Sequence, residues 1–190
     1  MNLFDAIHKR RSIFAAQFDA TPIDNTTVLE LLKAANTAPT HKLTQPWRFT
    51  ILASDEKKAA LGELMGELYK KNTPEDKFSG VKYKKTVNNP TKCSHVIAIC
   101  MHRKADETLP EWEDIAAMAM AVQNLWLAAT AKNLGGYWSS PKTAQSTEVT
   151  QFLQLDENTK CFGFFYLTKN NDLQAPTSPR TPIEEKITWL

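Results

Sequence analysis

Two arginines and a serine stand side by side near the start of the chain, as Arg10, Arg11 and Ser12. Guanidinium groups can bind a phosphate monoester bidentately, and a serine hydroxyl can add a neutral hydrogen bond. The three residues therefore indicate a phosphate site. Cations at the end of a helix also offset the helix dipole without any ligand, and for this motif alone that is the more frequent reason.

A second group of polar side chains lies between two prolines. Pro39 and Pro46 fix their own φ angles, and Pro46 restricts Gln45 to an extended backbone. A loop stiffened in this way can hold Thr40, His41 and Gln45 toward a planar heterocycle with donors and acceptors on its edge. A loop with a structural role alone is the other interpretation.

Two further stretches carry candidate ligand contacts. In residues 134–141, Gly135 and Gly136 let the backbone pass close to another group, and hydroxyl groups follow them. A helix end that leads into a strand is the alternative interpretation of this stretch. In residues 178–182, Arg180 stands between prolines, where it either adds to a phosphate site or stays in solvent.

The pattern of apolar residues predicts the helices and strands that position these stretches. In the second helix, Thr27 and Glu30 have the spacing of a capping box. Residues 70–92, rich in Lys, Asn and Pro, are predicted to form a mobile excursion. The second helix is predicted to start near residue 27 and to end just before Pro39. The other predicted helices are 3–9, 55–69, 113–132 and 147–153, and the predicted strands are 47–53, 95–101, 137–138 and 162–168. Helices and strands mix without a clean βαβ alternation, which favours an α+β fold with a sheet flanked by helices.

The longest predicted helix, 113–132, is apolar on several faces, and such a helix needs burial on several sides. Asn133, Gly135 and Gly136 are expected to end it. In a chain of this size a partner subunit is one way to bury the remaining faces. The apolar residues Ile187 and Trp189 near the C-terminus also need a place to bury.

Composition excludes several other classes of protein. The chain has 190 residues with 23 Lys and Arg against 21 Asp and Glu, so no charge excess favours nucleic acid as a partner. It lacks an apolar run of the roughly 20 residues that span a bilayer, and its N-terminus does not have the pattern of a secretion signal. We therefore expect one soluble, cytoplasmic domain over residues 1–190. The three cysteines form no C-x-x-C pair, and no G-x-G-x-x-G, P-loop or H-E-x-x-H motif occurs.

Taken together, in this order, the motifs resemble the nitroreductase family of FMN-dependent NAD(P)H oxidoreductases. The resemblance rests on R-R-S, on A-P-T-x-x-x-x-Q-P-W-x-F in residues 38–49, on the Ala- and Met-rich helix, on G-G-x-W and on P-R-x-P. It covers nearly the whole chain. It is strongest to the small members, which share P-x-H-K-x-x-Q-P-W and the W-E-x-x-x-A segment of residues 112–117.

The resemblance implies a homodimer of α+β subunits with a mixed, mainly antiparallel sheet and the long helix at the interface. Two FMN molecules would lie between the chains and contact both. The implied cofactor-binding residues fall into three groups: Arg10, Arg11, Ser12 and Arg180 at the phosphate; His41 and Gln45 near the isoalloxazine or ribityl chain; and Trp138, Ser139 and Ser140 on the other side of the flavin. Thr37 is a further candidate, because some relatives use an arginine there.

One position departs from the pattern of the family. Many relatives have a basic residue two positions after the serine, where this chain has Phe14. A polar contact to the flavin would then be lost.

The resemblance also implies the reaction. NADPH or NADH would deliver hydride to the flavin, and a flat, electron-poor acceptor such as a nitroaromatic or a quinone would take the electrons, in ping-pong order. No catalytic side chain or metal is required, because the cofactor carries the chemistry. The segment 70–92 would cover the site entrance. Two alternatives are a non-catalytic flavin-binding protein with the same fold, and an interaction module that binds an acidic partner.

Overall fold

The computed structural model describes residues 1–169 and 179–190. Within them, four strands form a sheet in the order β1-β2-β4-β3, with every neighbouring pair antiparallel. The strands are β1 Trp47–Leu52, β2 His95–His102, β3 Leu134–Ser139 and β4 Thr159–Lys169. The predicted α+β class and the mainly antiparallel sheet are confirmed.

Six α-helices of the described residues flank this sheet. They are α1 Leu3–Lys9, α2 Asn25–Ala35, α3 Asp55–Lys71, α4 Gly80–Asn88, α5 Glu111–Ala131 and α6 Thr147–Phe152. None of the described helices is long and apolar enough to cross a membrane.

The start of α2 corrects the predicted capping box. Asp24 is the N-cap: its carboxylate accepts the Thr27 backbone N–H at 2.8 Å and the Thr27 hydroxyl at 2.7 Å. A carboxylate there accepts two bonds and faces the positive end of the helix dipole, so it takes the capping position three residues before the predicted start.

Both faces of the sheet are buried, and the central strand β2 shows why. Successive residues of a strand point to opposite faces, so an unbroken apolar run fills two cores at once. Ile97, Ile99 and Met101 pack with α2 and α5, whereas Val96, Ala98 and Cys100 pack with α3 and α6. All three cysteines are buried and free.

Strand β3 begins earlier than the sequence indicates. Asn133, with φ of 57°, ends α5, and Gly135 and Gly136 already belong to the strand. A Cβ on Gly136 would stand 2.0 Å from the carbonyl oxygen of Tyr166, so the sheet accepts only glycine at this position. The two glycines therefore serve strand packing and do not end the helix.

The expected mobile excursion over 70–92 is wrong. Its second half forms α4, which packs against α3 as an antiparallel helical hairpin, with hydrogen bonds from the Tyr83 hydroxyl to Glu67 and from the Ser79 N–H to the Tyr69 hydroxyl. Gly62 makes the close contact possible, because its Cα lies against the backbone of Val87. The sequence pattern does not indicate this helix, because its surface is rich in lysine and its apolar contact with α3 is narrow.

Several large apolar side chains lie on the outside of the described chain. They cluster on α1, on the outer side of α5 and at the C-terminus: Leu3, Phe4, Ile7, Trp112, Met120, Ile187 and Trp189. Trp189 is 90% exposed, so the predicted need for burial is not met within one chain. Patches of this kind mark interaction surfaces.

The α3–α4 contact gives a direct test of the hairpin. A Gly62→Ala substitution places a Cβ 2.0 Å from the Val87 carbonyl oxygen. We expect a loss of about 1–3 kcal/mol in the free energy of unfolding, as for other overpacked sites. Gly80→Ala is the matched control, since no atom lies within 4 Å of its Cβ and alanine favours the helix. Urea denaturation in which both variants match the wild type would contradict the hairpin.

Candidate functional site

The segment after α1 is tied to the start of β3. Arg10 is the C-cap of α1, and its N–H bonds to the Ala6 carbonyl. Ser12 then forms a parallel bridge with Gly136, and the Ile13 N–H donates to the Gly136 carbonyl at 3.0 Å. The sheet thus fixes the backbone that carries Arg10, Arg11 and Ser12.

Arg10 lies near two other positively charged side chains. Its guanidinium lies 4.5 Å from the ring centre of Trp126 on α5 and forms no salt bridge within the described ranges. Partial burial lowers the pKa of Arg10, and the nearby charges of Arg11 and Arg180 lower it further. Cations brought together in this way repel one another, and an anion bound between them would relieve that repulsion. Arg180 thus lies near Arg10, as predicted, whereas Ser178 lies outside the described residues.

Arg11 and Ser12 differ in what they offer a ligand. Arg11 donates to the carbonyl oxygens of His8 and Arg10, at 2.5 and 2.7 Å. Its guanidinium therefore caps the end of α1, which agrees with the helix-dipole interpretation for this residue. The hydroxyl of Ser12 has no hydrogen-bond partner in the part of the chain that the structure describes, so it can bind a ligand.

The end of β3 presents its side chains on two faces. Trp138 packs against the α5 side, where its N–H donates to the Phe162 carbonyl at 3.1 Å. Ser139 lies on the opposite face, with Tyr137, and Ser140 is exposed. The structure therefore separates the side chain of Trp138 from that of Ser139, because successive strand residues point to opposite faces.

Gly163 is a residue of this region that sequence reasoning missed. Its φ is 121°, and a Cβ there would stand 2.1 Å from the Ser139 carbonyl oxygen. The glycine lets β4 pass against the Ser139–Ser140 backbone. A glycine inside the apolar run of residues 162–168 was the available signal, since strand glycines mark close backbone approach.

Phe14, the position that departs from the family, takes part in an aromatic contact. Its ring is half-exposed and lies 5.2 Å from that of Tyr137, which stacks in turn on Tyr166. The side chain thus presents an apolar edge close to Ser12.

The loop before β1 is strained. Lys42, Leu43 and Gln45 have φ values of 47°, 55° and 44°, which cost an L-residue roughly 1–2 kcal/mol each. The expectation of extended backbone at Gln45 is therefore wrong. The Gln45 N–H donates to the Thr40 hydroxyl at 3.2 Å, and this hydrogen bond accompanies the left-handed conformation.

Two neighbouring acids at the start of α5 hold this loop. Glu113 binds His41 Nδ1 at 2.6 Å. Asp114, only 2% exposed, accepts the Thr44 hydroxyl at 2.9 Å and Arg103 Nη1 at 2.6 Å. Sequence reasoning missed Asp114 and Arg103. The signal was an aspartate on the buried face of an apolar helix, which needs a partner.

Arg103 completes this ionic network. Its second terminal nitrogen donates to the carbonyl oxygens of Glu107 and Leu109. The buried carboxylate of Asp114 thus pairs with the guanidinium of Arg103, which reaches it from the partly exposed side.

The predicted site residues form two groups that one chain does not bring together. His41 lies at Glu113, whereas Arg10 lies at Trp126, thirteen residues and about 20 Å further along α5. Thr37 bonds to Ala34 and to Asn124. Residues two positions apart in a helix are rotated by about 200°, so Asn124 and Trp126 point to different sides of α5. Arg10, Arg11, Ser12 and Arg180 lie near the start of β3, and Thr37, His41 and Gln45 lie elsewhere.

The similarity of the chain to known proteins identifies its family. Residues 7–168 match the Nitroreductase family, and the chain belongs to it. YfhC of Bacillus subtilis (strain 168), provisionally named an NAD(P)H nitroreductase, is 30% identical over 99% of this chain and 94% of its own length.

Solved structures share the fold. A nitroreductase-like family protein from Bacillus cereus superposes with a TM-score of 0.79 at 22% identity, covering 100% of this chain and 96% of its own. A point mutant of the FMN- and NADPH-dependent nitroreductase NfnB, from a Sphingopyxis strain, has a TM-score of 0.79 at 18% identity, with coverage of 100% and 99%.

The ionic network at α5 predicts a large effect for one substitution. Asp114→Ala removes the buried carboxylate that accepts from Arg103 and from the Thr44 hydroxyl. We expect a loss of about 1.5–3 kcal/mol in the free energy of unfolding, the size of a hydrogen bond to a charged group. Urea denaturation measures the loss. Glu111→Ala, in the same helical turn, removes an exposed pair with Lys160 and should cost below about 1 kcal/mol. Equal losses in the two variants would contradict the network.

Proposed function

We propose that this protein is an FMN-dependent NAD(P)H oxidoreductase that reduces flat, electron-poor acceptors such as nitroaromatics or quinones. The observation that carries the proposal is the cationic group around Arg10, held on the sheet beside an available serine hydroxyl. Membership of the Nitroreductase family supports it. So do the names of relatives that use NAD(P)H and FMN.

The residues around Arg10 fit the phosphate of FMN. A phosphate monoester carries about −1.5 to −2 charges and three acceptor oxygens. Arg10 and Arg180 supply charge, and the Ser12 hydroxyl supplies a donor. The buried N–H of Trp126, beneath Arg10, also has no acceptor in the described residues. Arg11 would contribute its charge from the end of α1.

The flavin ring would be held further along β3. Ser139 lies three residues beyond Gly136, a distance of about 10 Å along a strand. Ser139 and Ser140 offer hydroxyls and backbone groups there. Trp138 would contribute through its backbone, since its indole N–H already binds Phe162.

A homodimer would complete the site. Two copies of α5 packed antiparallel by a two-fold axis bring the first turn of one helix beside the end of the other. The partner subunit's His41 and Gln45 would then face Arg10 and Ser12, and Thr37 would lie at the border of the site. The exposed apolar residues on α1, on α5 and at the C-terminus are available to form that interface.

When bound, the flavin supplies the hydride and electron chemistry, so the chain's own work is binding and orientation. With Nδ1 bonded to Glu113, His41 keeps Nε2 free to contact a ligand. One opening serves the donor and then the acceptor, which gives ping-pong kinetics.

An absorption spectrum of the purified protein tests the activity. We expect a flavin spectrum that bleaches when NADPH or NADH is added without oxygen and returns when a quinone is added. A flavin spectrum that neither donor changes would indicate a flavin-binding protein without this activity. A colourless protein that takes up no FMN would overturn the proposal altogether.

The phosphate assignment has its own test. Arg10→Ala removes a charge-assisted contact of about 1.5–3 kcal/mol, so FMN affinity should fall roughly 10- to 150-fold. Fluorescence titration of the apoprotein with FMN measures it. Lys9→Ala, one residue earlier and exposed, should bind FMN as the wild type does. Equal affinity of all three proteins would contradict the assignment.

Mixed dimers test whether two chains form the site. A dimer of one Arg10→Ala chain and one His41→Ala chain, purified through two different tags, should contain one intact site. It should bind one FMN with wild-type affinity. Absence of any tight site would show that both residues act from the same chain.

A further inference from the structure

A cleft of about 770 Å³ opens between the α3–α4 hairpin and the segment that follows β3. This volume lies within the range of roughly 300–1,000 Å³ that is usual for small-molecule sites. Met65, Leu68 and Tyr69 give it an apolar wall on α3. The opposite wall is polar and comes from Pro141, Lys142, Thr143, Gln145, Ser146 and Glu148.

The charges that line the cleft do not cancel. Lys71 pairs with Glu148 at 2.9 Å across the cleft, so these two compensate each other. Lys82 and Lys142 form no salt bridge in the described ranges. The ammonium group of Lys82 lies 4.8 Å from the ring centre of Tyr69. Two positive charges therefore remain beside an apolar and aromatic wall.

The position of the cleft relates it to the flavin. Pro141, which lines the cleft, directly follows Ser139 and Ser140 in the chain. It lies on the face of the sheet that is covered by α3 and α6, the face of Ser139. The cleft thus continues from the end of β3, opposite to the end at which Ser12 binds Gly136.

We infer that this cleft binds a phosphate group of the nicotinamide dinucleotide, through Lys82 and Lys142, while the nicotinamide lies at the flavin. The inference rests on the proposed function. Lysine binds phosphate as a point charge, and the hydroxyls of Thr143 and Thr73 on the lining offer neutral donors. The apolar wall with Tyr69 accommodates the less polar parts of the nucleotide. The group bound is either the 2′-phosphate of NADPH or the pyrophosphate that NADH also carries.

Calorimetric titration of the FMN-loaded protein with NADP+, NAD+ and 2′,5′-ADP tests the inference. The variants are Lys82→Gln, Lys142→Gln and the double variant. Lys84→Gln is the matched control, because Lys84 is an exposed lysine of α4 that does not line the cleft. We expect the double variant to bind NADP+ at least tenfold more weakly, with the control unchanged.

The three ligands distinguish the two phosphate groups. If the 2′-phosphate is bound, NADP+ and 2′,5′-ADP lose affinity and NAD+ does not. If the pyrophosphate is bound, NADP+ and NAD+ lose affinity equally. Unchanged binding of NADP+ and NAD+ to the double variant overturns the inference.

Failure of this inference can be separated from failure of the proposed function. Binding of 2′,5′-ADP requires no electron transfer, so it reports on the cleft even if the flavin is not reduced. If the flavin of the wild type bleaches with NADPH while the double variant binds every nucleotide normally, the result supports the oxidoreductase activity and contradicts phosphate binding in the cleft.

Discussion

The rigid length of α5 is the constraint on which the candidate site depends. A helix of 21 residues is about 31 Å long, and it cannot bend to bring its two ends together. Its first turn binds the loop with His41, and Trp126 near its other end supports Arg10. One chain therefore keeps the two groups of predicted site residues apart, and the proposed antiparallel homodimer would bring them together.

The sheet sets the second constraint, because it requires close backbone contacts at both ends of β3. Gly136 lies against Tyr166, and Gly163 lies against Ser139. Any larger residue at either glycine would push the neighbouring strand away. The donors around Ser12 and the serines at the end of β3 thus keep a fixed separation. This separation suits a ligand with an anionic end and a planar end.

The loop before β1 shows how strain is held near a binding group. Three residues with left-handed φ are unfavourable alone, and a network of hydrogen bonds around Thr40, Thr44 and Asp114 offsets them. Because Asp114 is buried and paired with Arg103, the loop cannot relax without exposing a charge pair. The hydrogen bond from Nδ1 to Glu113 then sets the direction of the His41 ring.

The sequence by itself determined the class of the fold, most of its helices and strands, and the family, since these depend on local periodicity and on motifs that are read residue by residue. The resemblance to the family also led to the prediction that Arg10, Ser12 and Arg180 bind one phosphate group. The sequence did not reveal α4, the left-handed conformation of Gln45 or the role of Asp114. Those features depend on contacts between distant segments: Gly62 against Val87, Thr44 against Asp114, Arg103 against Asp114. Only the tertiary structure decided that the predicted residues form two groups, because the distance between them is set by the length of a packed helix and not by their spacing along the chain.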